Sequence, residues 1–124
     1  MAEKIAIIGA GLIGRAWAIT FARGGCDVAL YDSDRRMLAE TLRTTADLIA
    51  DLESRAMLAG QTAADIARRI SGAETIAAAL EGAVHVQENV PENIEAKRTI
   101  FTELDAAAAP STILASSSSG ILPS

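Results

Sequence analysis

A doubly wound α/β fold, built on a parallel sheet of strand order 3-2-1-4-5, is predicted for this chain by three observations. First, a short apolar run, Lys4-Ile5-Ala6-Ile7-Ile8, ends in Gly9-Ala10-Gly11-Leu12-Ile13-Gly14 and passes directly into a helical pattern. Second, another apolar run, Val28-Ala29-Leu30-Tyr31, follows that helix and closes on an acid, Asp32. Third, strand and helix patterns keep alternating as far as Ile113-Leu114-Ala115-Ser116. Such alternation, joined by right-handed crossovers, makes a parallel sheet with helices on both faces.

The elements follow in order. Lys4–Ile8 is the first strand, because a continuous apolar run bounded by glycine suits burial on both faces. Leu12–Arg23 is the first helix, ended by Gly24-Gly25. Asp27–Tyr31 is the second strand, and Ser33 or Asp34 caps the next helix. That helix is long, with Leu38, Leu42, Ile49 and Leu52 at helical spacing. Gly60 breaks it, and residues 62–70 read as a shorter helix carrying Ile66 and Ile70 on one face. Residues 73–76 read as a short third strand, and 77–80 as a helical turn. Residues 84–88 are the fourth strand. Pro91 then starts a helix over 92–108, with Ile94, Phe101, Leu104 and Ala108 on one face, and Pro110 stops it. Ile113–Ser116 is the fifth strand, followed by a serine run and the start of a further helix.

The first turn carries the chemistry. Gly9 permits the tight bend, Gly11 lets a diphosphate approach bare backbone, and Gly14 lets the helix pack close to the strand. The helix start offers free N–H groups and a partial positive charge to phosphate. Asp32, at the end of the second strand, accepts hydrogen bonds from ribose hydroxyls. A 2′-phosphate there would meet like charge, so NAD is expected over NADP. Arg35 and Arg36 lie nearby and read as a solvated helix start. A strand before, a helix after, a second strand at the right distance and an acid at its end together mark a Rossmann-type dinucleotide site. Its ligand lies across the carboxyl ends of strands 1 and 4, where the order reverses.

Composition bounds the alternatives. The 124 residues allow one domain, spanning 1–124, and half are hydrophobic, much of that alanine. Aromatics are 3% and net charge is −5, which argues against a nucleic-acid surface or an anionic membrane. The single cysteine, Cys26, fits a reducing compartment and a structural thiol. The first residues have neither a basic flank nor an apolar segment of membrane length, so a cytoplasmic location is expected. His85 sits inside a strand and reads as structural, and no spacing of Cys, His, Asp and Glu suggests a metal.

Two further stretches, Glu88-Asn89-Val90-Pro91-Glu92-Asn93-Ile94-Glu95-Ala96-Lys97 and Ala115-Ser116-Ser117-Ser118-Ser119-Gly120-Ile121-Leu122-Pro123-Ser124, follow strands at the ligand-facing edge. Together with the glycine loop, the chain resembles the amino-terminal NAD-binding domain of the 3-hydroxyacyl-CoA dehydrogenase family. It is most similar to the lambda-crystallin branch, whose members act as gulonate 3-dehydrogenases, and carnitine dehydrogenases share a similar ending. The resemblance implies that Gly9, Gly11, Leu12, Ile13 and Gly14 hold the pyrophosphate of NAD and Asp32 the adenosine ribose. It implies that Glu92 and Lys97 contact the nicotinamide half, and that Ser119 lies beside the nicotinamide and the substrate hydroxyl. The commoner family motif has Asn and Thr where this chain has Ser117 and Ser118.

The family oxidises a 3-hydroxyl with a histidine–glutamate base beyond the serine motif. The sequence stops at Ser124, so the expectation is the NAD half of a dehydrogenase truncated after strand 5, without the catalytic His strand and the helical domain. Such a chain binds NAD, turns over little, and self-associates through its last strand. The full enzyme is expected to act on a small hydroxy acid as a homo-oligomer. A stand-alone dinucleotide-sensing module, or a structural crystallin-like role, is the alternative.

Overall fold

The computed structural model describes residues 3–89, 94–108 and 112–116. Expectations for Pro91, Glu92, Pro110, Ser119 and residues 121–124 fall outside these. Five strands and five helices follow one another as β1 (Lys4–Ile8), α1 (Leu12–Arg23), β2 (Asp27–Tyr31), α2 (Arg35–Ser54), α3 (Ala63–Arg68), β3 (Ile70–Gly72), α4 (Ile76–Leu80), β4 (Ala83–Glu88), α5 (Ile94–Ala107) and β5 (Ile113–Ser116). All four pairings are parallel and the order is β3-β2-β1-β4-β5. In register, Ile8 faces Tyr31 on one side and Glu88 on the other, and Glu88 faces Ser116. The carboxyl ends of four strands therefore share one edge.

The pleat divides the core in two. Ile5, Ile7, Val28 and Leu30 point to one face, against Ala18, Ile19 and Ala22 of α1, Ile49 of α2 and Ile66 of α3. Ala6, Ile8, Ala29 and Val86 point to the other, against Ile76, Ala79 and Leu80 of α4 and Leu104 of α5. Alanine on strand and helix alike brings these layers close. Hydroxyl and carboxylate caps start α2, α3 and α4. Asp34 accepts from the N–H of Arg36 and Met37, Thr62 from that of Asp65, and Thr75 from that of Ala78.

The third strand departs from expectation. Residue 70 does not continue a helix: α3 ends at Arg68, and Ile70 opens β3 opposite Val28. Residues 73–76 are not a strand. Ala73 donates to Leu30 O, Thr75 caps, and Ile76 begins α4. The reason is packing: Ile70 joins the α1-side core, where an extended backbone shares its hydrogen bonds with β2. Arg69 is the C-cap of α3. It is partly buried and donates to Ala22 O and Gln61 Oε1, both 2.8 Å away. Arg68 stays exposed and pairs with Asp65. In α5, Leu104 is buried and Ala108, just past its end, packs beside it.

Candidate functional site

The bend after β1 is held from three directions. Gly9, at φ +99°, takes a conformation that side chains disfavour. Its N–H donates to Tyr31 O at 2.8 Å, and its carbonyl accepts from Asn89 Nδ2 at 3.3 Å. The Asn89 N–H donates in turn to Ile8 O. Ala10, fully buried, donates its N–H to Asp32 Oδ2 at 2.8 Å, and its carbonyl accepts from Thr41 Oγ1 at 3.2 Å. Asp32 Oδ1 accepts the N–H of Asp34, also at 2.8 Å. One carboxylate thus ties the glycine bend to the start of α2. A carboxylate has about four acceptor sites, so both oxygens keep capacity for ribose hydroxyls.

Helix α1 opens without any side-chain cap and without an acid in its first turn. Its first intrahelical bond runs from Arg15 N to Gly11 O. The N–H groups ahead of that bond lie in the first turn, where a helix has no internal acceptor. A Cβ built on Gly14 would come within 2.2 Å of the Gly9 carbonyl oxygen and 3.5 Å of Ile7 Cγ2. Only glycine lets α1 start this close to β1. A Cβ on Gly11, by contrast, would meet nothing within 4 Å. Leu12 and Ile13 stand 74% and 55% exposed beside it. Bare backbone, free donors and two solvent-facing apolar side chains at one edge fit a diphosphate with flat, partly apolar groups at either end.

The six positions Gly9, Gly11, Leu12, Ile13, Gly14 and Asp32 therefore come together around one bend. Beside Asp32 a cavity of about 340 Å³ is lined by Tyr31, Ser33, Arg35, Leu38, Ala39 and Glu74 among others. Arg35 and Arg36 are exposed. Lys97 lies in α5, and its side chain falls outside the described residues, as do Glu92 and Ser119 entirely. His85 lies away from this edge, opposite Ile5, 3.1 Å from Gln87 Oε1 and against the Phe21 ring. Cys26 is half-buried beside the α1-side core. Among the described residues no group of His, Cys, Asp and Glu is placed to hold a metal, and no helix is long and apolar enough to cross a membrane.

Thr41 and Asn89 were not apparent from the sequence. Asn89 directly follows β4 at the edge where ligands lie, and that position was its one available signal. Thr41 had a fainter one, a polar residue on the buried stripe of α2.

A model of the 3-hydroxyacyl-CoA dehydrogenase NAD-binding domain matches residues 4–124. The chain belongs to the 3-hydroxyacyl-CoA dehydrogenase family. Within the family, it is 45% identical to the lambda-crystallin homolog of Mus musculus over 124 residues, 99% of this chain and 39% of that one. It is 36% identical to an L-carnitine dehydrogenase/betainyl-CoA thioesterase of a Rhizobium species, over 98% of this chain and 24% of that protein. The 3-hydroxybutyryl-CoA dehydrogenase of Escherichia coli K12 superposes with a TM-score of 0.89 at 27% identity, over 98% of this chain and 25% of that one. The chain thus spans well under half the length of each of these relatives. NAD is the cofactor that the family domain implies, and the bend offers an uncapped helix start, open space at Gly11 and the Asp32 carboxylate beside it.

Proposed function

We propose that residues 1–124 form the cofactor half of an NAD-dependent oxidoreductase that oxidises the 3-hydroxyl of a small hydroxy acid or 3-hydroxyacyl substrate. The observation that carries this reading is the uncapped start of α1 opening onto Gly11, with Asp32 already anchored beside it. Gly9, Gly11, Leu12, Ile13 and Gly14 take the diphosphate, and Asp32 takes the adenosine ribose. The family resemblance assigns Glu92 and Lys97 to the nicotinamide half and Ser119 to the nicotinamide and the substrate hydroxyl. When bound, NAD supplies the hydride acceptor. The chain's own part is to hold and orient it, since alignment is a large share of such catalysis.

Proton removal needs a base within hydrogen-bond reach of the substrate hydroxyl. The sole histidine, His85, is engaged with Phe21 and Gln87 far from the bend. The relatives are more than twice as long, and we assign the base and the substrate-closing domain to such further length. Residues 1–124 alone then bind NAD with little turnover. Neither the fold nor the comparisons supports a stand-alone sensing module. A homo-oligomer in the cytoplasm is consistent with the single free cysteine and with the exposed Ile113 side chain on β5.

The test is calorimetric titration of the folded chain with NAD and with NADP. We expect saturable heat with NAD and clearly weaker binding of NADP, because a 2′-phosphate would lie against Asp32. No heat with NAD or NADH up to millimolar concentration would overturn the cofactor reading.

A further inference from the structure

We propose that Thr41 is a positioning residue for diphosphate binding: it fixes the Ala10–Gly11 peptide so that the Gly11 N–H faces outward. This inference rests on the cofactor reading above. A trans peptide is planar, and its C=O and N–H point in opposite directions. The chain has no cis peptide among the described residues. The Ala10 carbonyl points towards α2, where Thr41 Oγ1 donates to it at 3.2 Å in a buried setting, Thr41 being 4% exposed. The Gly11 N–H in the same plane is therefore turned away from α2, and at Gly11 even an added Cβ would meet nothing within 4 Å.

The preceding peptide is held in the same manner. Its Gly9 carbonyl accepts from Asn89 Nδ2, and its Ala10 N–H donates to Asp32 Oδ2. Two consecutive peptide planes are thus fixed by three side chains, one just after β2, one in α2 and one just after β4. Of these, Thr41 lies farthest from solvent and has no charge to offer a ligand. A hydroxyl on the buried face of a helix costs free energy unless it is bonded. Here its partner is the carbonyl whose direction sets where the Gly11 N–H points. Without that bond the plane can rotate, and the donor must be reoriented when the ligand binds.

The test compares Thr41→Val, which keeps the shape and removes the donor, with Thr41→Ser, which keeps the donor. Each folded protein is titrated with NAD, ADP and adenosine, and backbone amides are followed by NMR. For Thr41→Val we expect about three- to tenfold weaker NAD and ADP binding, the loss typical of one hydrogen bond. Adenosine binding should be unchanged. Thr41→Ser should bind within about twofold of the parent. In the parent chain the Gly11 amide should move on ADP addition and stay still with adenosine. Equal weakening for adenosine and ADP, or parent-like ADP binding by Thr41→Val, would overturn the role. So would a Gly11 amide that ADP leaves unmoved, a measurement that needs no variant. A parent chain that binds none of the three ligands removes the cofactor reading itself, and this role with it.

Discussion

Asp32 carries two sets of contacts, and one substitution removes both. Its oxygens hold the Ala10 and Asp34 amides, and in the proposed function they also meet the ribose. Asp32→Ala should weaken NAD binding by about 1.5–3 kcal/mol, the range for a lost hydrogen bond to a charged group. Calorimetry reads that loss, and parent-like affinity would remove Asp32 from the ribose site. Gly14 gives a sharper case. A methyl at Gly14 would overlap the Gly9 carbonyl, so Gly14→Ala should lower stability by about 1–3 kcal/mol, as overpacking does. Thermal melting checks it, and an unchanged Tm would mean that α1 can shift freely against β1. These residues were legible in the sequence because their chemistry is local: glycine and an acid at fixed spacing around one bend. The links to Thr41 and Asn89 were not, since each partner lies far along the chain from the carbonyl it holds. Composition carries no record of such pairs.

At the scale of elements, the sequence pattern located every described strand except β3. The limits expected for β1, α1 and β2 match those observed, because each has enough residues to show a pattern. Strand β3 has three residues, too few for alternation to separate from the end of a helix. Its position is decided by pairing with β2 and by Ile70 joining the core beside it. Helix α2 carries a cost that its pattern conceals. Thr45 is 2% exposed, and its hydroxyl has no hydrogen-bond partner among the described residues. Thr45→Val removes that hydroxyl at nearly constant shape. It should raise stability by about 1 kcal/mol, the penalty of a buried unsatisfied group, and leave NAD affinity alone. The same change at Thr41 should weaken NAD binding. Denaturant titration with calorimetry on both variants distinguishes the two threonines, and a destabilised Thr45→Val would show that its hydroxyl finds a partner in solution. The Asp34 cap is the complementary case. Asp34→Ala should cost about 1 kcal/mol through loss of the Arg36 and Met37 bonds, read as a lower Tm.

Across the whole molecule, crossover handedness decides which surfaces are covered. Right-handed connections carry α1 and α2 to one face as the chain moves from β1 outward to β3. They carry α4 and α5 to the other face as it returns to β4 and β5. The strand order was legible for that reason. The same rule leaves the α1-side face of β4 and β5 without a helix of its own among the described residues. There His85 lies against Phe21, Phe21 stacks on Trp17, and Ile113, opposite His85, is 62% exposed. Among the described residues strand β5 is also the end of the sheet, with no strand paired to its outer edge beside this apolar patch. Edge and patch together favour association. In longer relatives further chain is available to cover such a face; in the 124-residue chain a second copy is the nearest candidate. We expect the chain to sediment as a dimer or larger species at high concentration. Ile113→Lys should return it to a monomer, because a charge on an edge strand resists pairing with another edge. Since Ile113 is far from the glycine bend, NAD affinity should be unchanged in that variant. A parent chain that stays monomeric at every concentration would show that the patch is covered within one molecule. A variant that still associates would move the interface elsewhere.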